Sequence, residues 1–247
     1  MKNDEITVNP SAIVRTLAIV AAALVAASIA GQLVKYLGGR PFVYGLVPMF
    51  YVDAEHNVPT MFSVFLLLFA AALLALLATL KARERSAYAG RWKLLALGFA
   101  FMALDEGASV HELFILPVRQ LLGDRDLGAF YFAWVIPFGL VVLILAGYFA
   151  KFVLSLPRRT AFLFVLAAVV YLGGAIGFEL IGGKYDELHG RGNPTYVMIA
   201  TLEETLEMAG VILFIHALLQ YAGQTYPRIH IRCGDFDMNV RSGQGTS

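Results

Sequence analysis

The sequence predicts an all-α, polytopic membrane helix bundle of about six transmembrane helices. Of its 247 residues, 59% are hydrophobic and 15% are charged, and the mean hydropathy is +0.70. A soluble domain carries about 25% charged residues, whereas this chain repeats apolar runs of the length that a membrane-spanning helix needs. The net charge of +1 indicates no nucleic-acid partner. The single cysteine, Cys233, excludes an internal disulfide and a multi-cysteine metal site.

Six apolar segments separated by polar or turn-forming stretches are the predicted spans. They cover approximately residues 12–37, 60–80, 94–116, 128–153, 161–181 and 195–221. The first is expected to be a retained span and not a cleaved signal. Pro117 is expected to end span three, and Pro137 to kink span four. The Gly-rich stretch after span five, G-G-K-Y-D-E-L-H-G-R-G-N-P, is expected to be a loop.

Lys and Arg residues predict the orientation, because cytoplasmic loops are enriched in them. Five lie in the 81–93 loop, three flank the 151–159 turn, and three lie in the tail. With six spans, these segments and the N-terminus fall on one side. We therefore predict an N-in, C-in topology with a cytoplasmic segment at 1–11, a helix bundle at 12–222 and a cytoplasmic tail at 223–247.

Ionisable residues lie inside two of the predicted spans. Span three contains L-D-E-G-A-S-V-H-E-L-F from Leu104 to Phe114, and span six contains T-L-E-E-T-L-E-M-A-G from Thr201 to Gly210. A charged side chain at bilayer depth costs roughly 2.5–3.5 kcal/mol on insertion scales, so such residues indicate function. The predicted topology brings both groups, and Glu179 of span five, toward the outer face. The candidate metal ligands are Asp105, Glu106, His111, Glu112, Glu179, Glu203, Glu204 and Glu207.

Helical spacing places Asp105, Ser109 and Glu112 on one predicted face of span three. Dimetal carboxylate bundles also present acids from facing helices, but they use a Glu-x-x-His motif, which no span here contains. The analogy is therefore one of ligand chemistry. Carboxylates with one imidazole suit a divalent ion, with iron or manganese favoured and zinc possible.

The alternative for these acids is a structural one, in which they cap helices or pair with Arg119 or Lys184. Carboxylates that lie close together cannot all ionise without a cation, which favours bound metal or bound protons. For Glu179 the two interpretations are balanced. Charges in the outer loops are expected to be solvated; these are Asp53, Glu55, His56, Asp186 and His189.

The two motifs together resemble a group of uncharacterised bacterial multi-pass membrane proteins. The residues that carry the resemblance are D-E-x4-H-E at 105–112 and L-E-E-x2-E-M at 202–208. The resemblance covers the membrane part of the chain and implies the bacterial inner, or cytoplasmic, membrane. It implies no activity.

Three functions remain open at this stage. The first is a metal-dependent oxidoreductase acting on a lipid or another hydrophobic substrate that reaches the site from the membrane. The second is a transporter or channel for a cation or protons, and the third is a non-catalytic subunit of a membrane complex. Apolar cytoplasmic halves of the spans favour a one-sided site. The sequence predicts no oligomeric state.

Overall fold

A computed structural model describes residues 9–123 and 127–226, and in these ranges the chain forms helices and no strand. The predicted cytoplasmic tail lies outside the described residues from 227 onward, as do residues 1–8 of the N-terminal segment. The helices are α1 (Pro10–Gly38), α2 (Leu46–Phe50), α3 (Val58–Arg83), α4 (Ala89–Ala108), α5 (Ile115–Leu122), α6 (Val135–Ser155), α7 (Arg158–Leu172), α8 (Glu179–His189) and α9 (Pro194–Thr225).

Three long helices begin with the same local chemistry, an asparagine cap with a proline in the first turn. Asn9 caps α1, Asn57 caps α3 and Asn193 caps α9, each by accepting a backbone N–H through its side-chain oxygen. Asparagine satisfies otherwise unpaired N–H groups at a helix start, and proline there sacrifices no hydrogen bond. These caps set where the three helices begin.

The prediction of an all-α membrane bundle is confirmed. In the described ranges, four helical segments are long and apolar enough to cross a membrane: 10–38, 58–83, 135–155 and the continuous helix 158–189. The pair α4–α5 makes a fifth if its two helices count as one span. The helix α9 is not among these five, so the number of six spans and their orientation stay predictions.

The centre of the bundle is α9, which packs against α1, α3 and α7. Its C-terminal half contributes many of the buried side chains, including Ile215 and Leu218, which are fully buried. The main core continues through Leu66, Leu74 and Leu77 of α3. A helix at the surface of a bundle needs only one apolar stripe, whereas a helix with neighbours all round is apolar on most sides. The C-terminal half of α9 is of the second kind.

In contrast, α6 lies at the edge of the bundle. Only 6% of its most apolar stretch is buried. It is held near its two ends by aromatic contacts: Trp134 lies against His111 at one end, and Phe152 lies against Trp92 at the other. Its middle turns therefore present leucine, isoleucine and valine side chains to lipid.

The prediction that span three is one straight helix is wrong. The helix α4 ends at Ala108, and Ser109 adopts a left-handed conformation (φ 49°, ψ 43°). The following helical segment Val110–Leu122, which contains α5, leaves at 79° to α4. Asp105, Ser109 and Glu112 therefore do not share a helical face. Pro117 lies within α5 and does not end the span, and Pro137 lies in the first turn of α6, where it causes no kink.

The predicted loop after span five is also wrong, because its first part is helical. α7, a π-helical segment at Gly173–Phe178 and α8 form one continuous helix to His189. Gly182 and Gly183, which look like helix breakers in the sequence, are packing positions. A Cβ on Gly183 would lie 3.2 Å from Phe132, and one on Gly182 would lie 3.6 Å from Ile199.

Candidate functional site

One polar cavity of about 150 Å³ opens at the end of the bundle where α3 and α9 begin and α4 ends. All eight predicted site residues line it, although they come from α4, the turn after it, α8 and α9. They are Asp105, Glu106, His111, Glu112, Glu179, Glu203, Glu204 and Glu207. The structure thus brings the two sequence motifs together, and their binding of a metal stays a prediction.

The break in α4 determines how His111 enters the cavity. The Asp105 carboxylate accepts the backbone N–H of His111 at 2.7 Å with one oxygen and lies 3.2 Å from the ring Nδ1 with the other. A side chain that captures a nearby backbone N–H in this way competes with the regular helix. The contact occupies Nδ1, so Nε2 is the ring nitrogen that remains for a ligand.

The acids of α9 face those of α4 and α8 across the cavity. Glu204 and Glu207 interact electrostatically with Glu106, and Glu203 interacts with Glu179. The approach is close because Gly174 of the π-helical segment has no side chain: a Cβ there would lie 2.7 Å from the Glu203 carbonyl oxygen. Like charges at such short range raise the free energy of the fully ionised state.

A second, narrow pocket of about 10 Å³ shares Glu106, Tyr171 and Glu207 with the cavity. Ser63, Glu106, Tyr171 and Glu207 line it, together with the apolar side chains Leu66, Leu67, Met208 and Val211. A space of this size is close to the minimum that a water molecule requires. This second pocket therefore has room for one water molecule at most.

The loop before α3 adds two acids that the sequence interpretation assigned to solvent. Asp53 and Glu55 both line the cavity, and the Tyr51 hydroxyl donates a hydrogen bond of 2.8 Å to Asp53. Burial raises the pKa of Asp53 from its ordinary value to about 6, although Tyr51 and Arg191 both oppose the shift. Burial, with the neighbouring Asp53, also raises the pKa of Tyr51.

The charge of the cavity is strongly unbalanced. The acidic residues that line it are Asp53, Glu55, Asp105, Glu106, Glu112, Glu179, Glu203, Glu204 and Glu207. Among the described residues, Arg191 is the one lysine or arginine that lines it. The Arg191 side chain is 56% exposed and already bonds Asp186 at 2.8 Å. The alternative partners Arg119 and Lys184 do not line the cavity.

Metal coordination is not preformed in the described ranges. Within 9–123 and 127–226, no three histidine, cysteine or acidic side chains are arranged so that they could hold a metal ion as they stand. Glu112 is exposed at the rim of the cavity, and both oxygens of Asp105 are engaged with His111. Any ligand set must therefore form by rotation of the remaining carboxylates.

Several residues that line the cavity were not predicted from the sequence to belong to the site. Trp134, Tyr171, Tyr196 and Arg191 belong to this group, together with the loop acids Asp53 and Glu55. The other outer-loop groups stay outside: His56 is exposed beside Glu55, and His189 stacks on Tyr185. His216 is also outside, bonded to Gln220 at 2.9 Å. Buried aromatic residues in a membrane chain are too common to indicate a site by themselves.

The far end of the bundle is apolar and then basic. Phe99 stacks on Phe214 at 4.7 Å, and Trp92 packs against Phe152, Phe164 and Tyr221. Beyond this layer lies Lys81, which is bonded to Glu84 at 3.0 Å. The acid-rich cavity and the basic end are thus separated by packed leucine and aromatic side chains.

The family model described as a domain of unknown function (DUF8692) matches residues 16–222. The match includes both acidic motifs and all of the cavity-lining residues. Among curated proteins there is no significant match to the chain. The same holds among solved structures.

Proposed function

Because this chain belongs to the DUF8692 family, whose function is unknown, we infer its function from the cavity. We propose that it is a metal-dependent membrane enzyme. The cavity would bind one or two divalent ions. The observation that carries this proposal is the collection of nine acidic residues around about 150 Å³ with one arginine among the lining residues.

Charge compensation is the physical argument. Ionised carboxylates in a low-dielectric bundle require a cation, and one arginine that already bonds Asp186 cannot neutralise nine acids. Protons would neutralise them, but each protonated carboxyl group would then need hydrogen-bond partners. A divalent ion neutralises two carboxylates and accepts electron pairs from several oxygens.

The donor set favours iron or manganese, with zinc possible, because it consists of many carboxylate oxygens and one imidazole. We expect the ligands to come from Glu106, Glu179, Glu203, Glu204 and Glu207, with Nε2 of His111. Asp105 would orient His111, as carboxylates commonly do for metal-binding histidines. Glu112, at the exposed rim, would contribute negative charge, or would become a metal ligand after its side chain rotates into the cavity. Side-chain rotations would complete the coordination.

The reaction we propose is an oxidation or reduction of a lipid or another hydrophobic substrate that arrives from the membrane. A redox-active metal would pass electrons between the substrate and an external electron acceptor or donor that restores the metal after each turnover. The protein would supply the ligands, the oriented imidazole and carboxylates that accept or release protons. The apolar layer between the cavity and the basic end supports an enzyme over a transporter, since passage would require a polar route through Leu66, Leu74 and Phe214.

We further propose six spans with both termini in the cytoplasm and a location in the bacterial inner membrane. The basic residues support this orientation, because Lys81, Arg91 and Lys151 all lie at the end opposite the cavity. In this arrangement α9 is the sixth span and crosses inside the bundle. The cavity then opens toward the outer face.

Metal analysis of the purified protein tests the proposal. We expect iron, manganese or zinc near one or two equivalents, and loss of most of it in Glu106→Gln and in Glu204→Gln. Bound metal stabilises the folded state, so both variants should also melt at a lower temperature when metal is supplied. Glu84→Gln is the matched control, because Glu84 is exposed at the basic end.

Two outcomes would contradict the proposal. Full metal content in both cavity variants would show that neither carboxylate is a ligand. Protein that binds no divalent ion, yet moves protons or cations across a vesicle membrane, would establish the transporter instead.

A further inference from the structure

We propose that Trp134 is the positioning residue that joins the two halves of the cavity, and this inference rests on the proposed metal site. One half contains Asp105, Glu106 and His111 from α4 and the turn after it. The other contains Glu179 at the start of α8 with Glu203 of α9. Trp134, immediately before α6, contacts one residue in each half.

The contact with Glu179 is a hydrogen bond, and the contact with His111 is a ring contact. The indole Nε1–H of Trp134 donates to one carboxylate oxygen of Glu179 at 2.7 Å. The indole ring centre lies 4.7 Å from that of His111, with the planes inclined by 52°. Since an indole can donate and cannot accept, the bond fixes one oxygen of the Glu179 carboxyl group and thereby its orientation toward the cavity.

Trp134 is held firmly enough to act as a positioning residue. It is 9% exposed and belongs to a small apolar cluster with Phe132 and Val135, separate from the main core. Phe132 packs on α8 at Gly183, where an added Cβ would lie 3.2 Å from the Phe132 ring and would force it to shift. The segment before it is fixed by Glu187, whose carboxylate accepts the backbone N–H groups of Leu127 and Gly128 at 2.9 and 2.7 Å.

This arrangement differs from ordinary core packing in one respect. A buried indole N–H needs an acceptor, and the acceptor here is a cavity carboxylate that the proposed function uses as a ligand. A hydrogen bond to a ligand fixes its orientation, and its loss commonly lowers metal affinity by about 10- to 100-fold. Trp134 thus would act on the metal through Glu179 while touching no metal itself.

The chain contains two tryptophans, Trp92 and Trp134, which makes a direct test possible. In Trp92→Phe, Trp134 is the sole indole, and Mn²⁺ added to the full-length protein should quench its fluorescence because a paramagnetic ion lies nearby. In Trp134→Phe, Trp92 is the sole indole, in the apolar layer far from the cavity, and quenching should be weak. Phenylalanine retains an aromatic ring and removes the N–H donor.

The affinity for Mn²⁺, measured by electron paramagnetic resonance, then tests the role of the hydrogen bond. Trp134→Phe should weaken binding by at least about 10-fold, and Glu179→Gln should weaken it too. The double variant should be little worse than Glu179→Gln alone, because the two changes remove one interaction. Adding Glu84→Gln to Trp134→Phe should leave the affinity of Trp134→Phe unchanged, since Glu84 is exposed at the basic end, away from the cavity.

The outcomes separate this inference from the proposed function. If Trp92→Phe protein binds no Mn²⁺, both the metal site and the role of Trp134 are wrong. If it binds Mn²⁺ and Trp134→Phe binds equally well, only the role of Trp134 is wrong. If Trp134→Phe does not fold, Glu179→Leu in the Trp92→Phe background still tests the hydrogen bond, because Trp134 is then the sole indole. The resonance Raman band of its N–H should change when the Glu179 acceptor is lost. An unchanged band would overturn the assignment of Trp134.

Discussion

Asp53 illustrates how position changes the chemistry of a single carboxyl group. It belongs to a loop outside the spans, yet it lines the cavity and is largely shielded from solvent by Tyr51 and neighbouring residues. Its pKa of about 6 means that half of the molecules carry a proton there at about pH 6. A group with a raised folded-state pKa stabilises the fold below its unfolded pKa and loses that contribution as the pH rises through the folded pKa.

We therefore expect Asp53→Asn to gain stability relative to the wild type as the pH rises from about 4 to about 7. The difference should reach at most about 3 kcal/mol, because each pKa unit corresponds to about 1.4 kcal/mol. Thermal melting in detergent, with a chelator present to remove divalent ions, measures it. A difference between the two melting temperatures that stays constant over this range would show that Asp53 titrates normally.

At this scale the sequence pointed to eight residues that the structure brings together around one cavity, because a charged residue in an apolar run stands out. It did not predict Asp53, Glu55 or Arg191, since charged residues in loops are usually solvated. It also missed Trp134, whose partner Glu179 is 45 residues away along the chain. Such a partnership follows from tertiary packing and leaves no local pattern.

Glycine positions control how closely α7 approaches α9. Alanine in place of a helical glycine normally stabilises a helix by about 1 kcal/mol. At Gly210, however, a Cβ would lie 2.7–2.8 Å from the backbone and Cβ of Tyr171. The two helices would have to separate, and Tyr171 lines the same cavity as Glu207.

We expect Gly210→Ala to destabilise the protein by about 1–3 kcal/mol, the usual cost of overpacking. Gly147→Ala is the matched control, because Gly147 lies within α6 and has no atom within 4 Å of the added carbon. That control should be as stable as the wild type or slightly more stable. Thermal melting of the two variants compares them, and equal stability would mean that α7 and α9 are farther apart than described.

Elements were predicted best where the local sequence alone determines them. The predicted starts at about residues 12, 60 and 195 lie within two residues of the starts of α1, α3 and α9, which asparagine caps fix locally. The break at Ser109 was missed because it depends on Asp105 capturing the backbone N–H of His111. The helix through Gly182 and Gly183 was missed because those glycines serve close packing, which resembles a loop signal in sequence.

Over the described residues as a whole, the molecule is polarised: nine acids line the cavity at one end, and Lys81 and Arg91 lie at the other. The sequence could predict this separation from loop charges, but it could not predict that α9 lies at the centre. That position depends on the contacts of α9 with α1, α3 and α7.

The proposed orientation makes a prediction for the whole chain. A reporter fused after Gly123 should be active only as an extracytoplasmic enzyme, whereas one fused at Arg85 should be active as a cytoplasmic one, because positive loops stay inside. Paired alkaline phosphatase and fluorescent-protein fusions measure the two sides. A cytoplasmic result at Gly123 would reverse the orientation and place the cavity at the inner face.

The exposed position of α6 has a consequence for bilayer thickness. With 21 residues, α6 is about 32 Å long, close to the roughly 30 Å of a hydrocarbon core. The 29 residues of α1 leave length to spare, so a thicker bilayer would be accommodated by a smaller tilt of α1. Hydrophobic mismatch in a thick membrane thus acts first on α6, which has few protein neighbours to resist it. Trp134 immediately precedes α6 and bonds Glu179. A displacement of α6 by longer lipid chains would therefore also displace the Glu179 carboxyl group in the cavity.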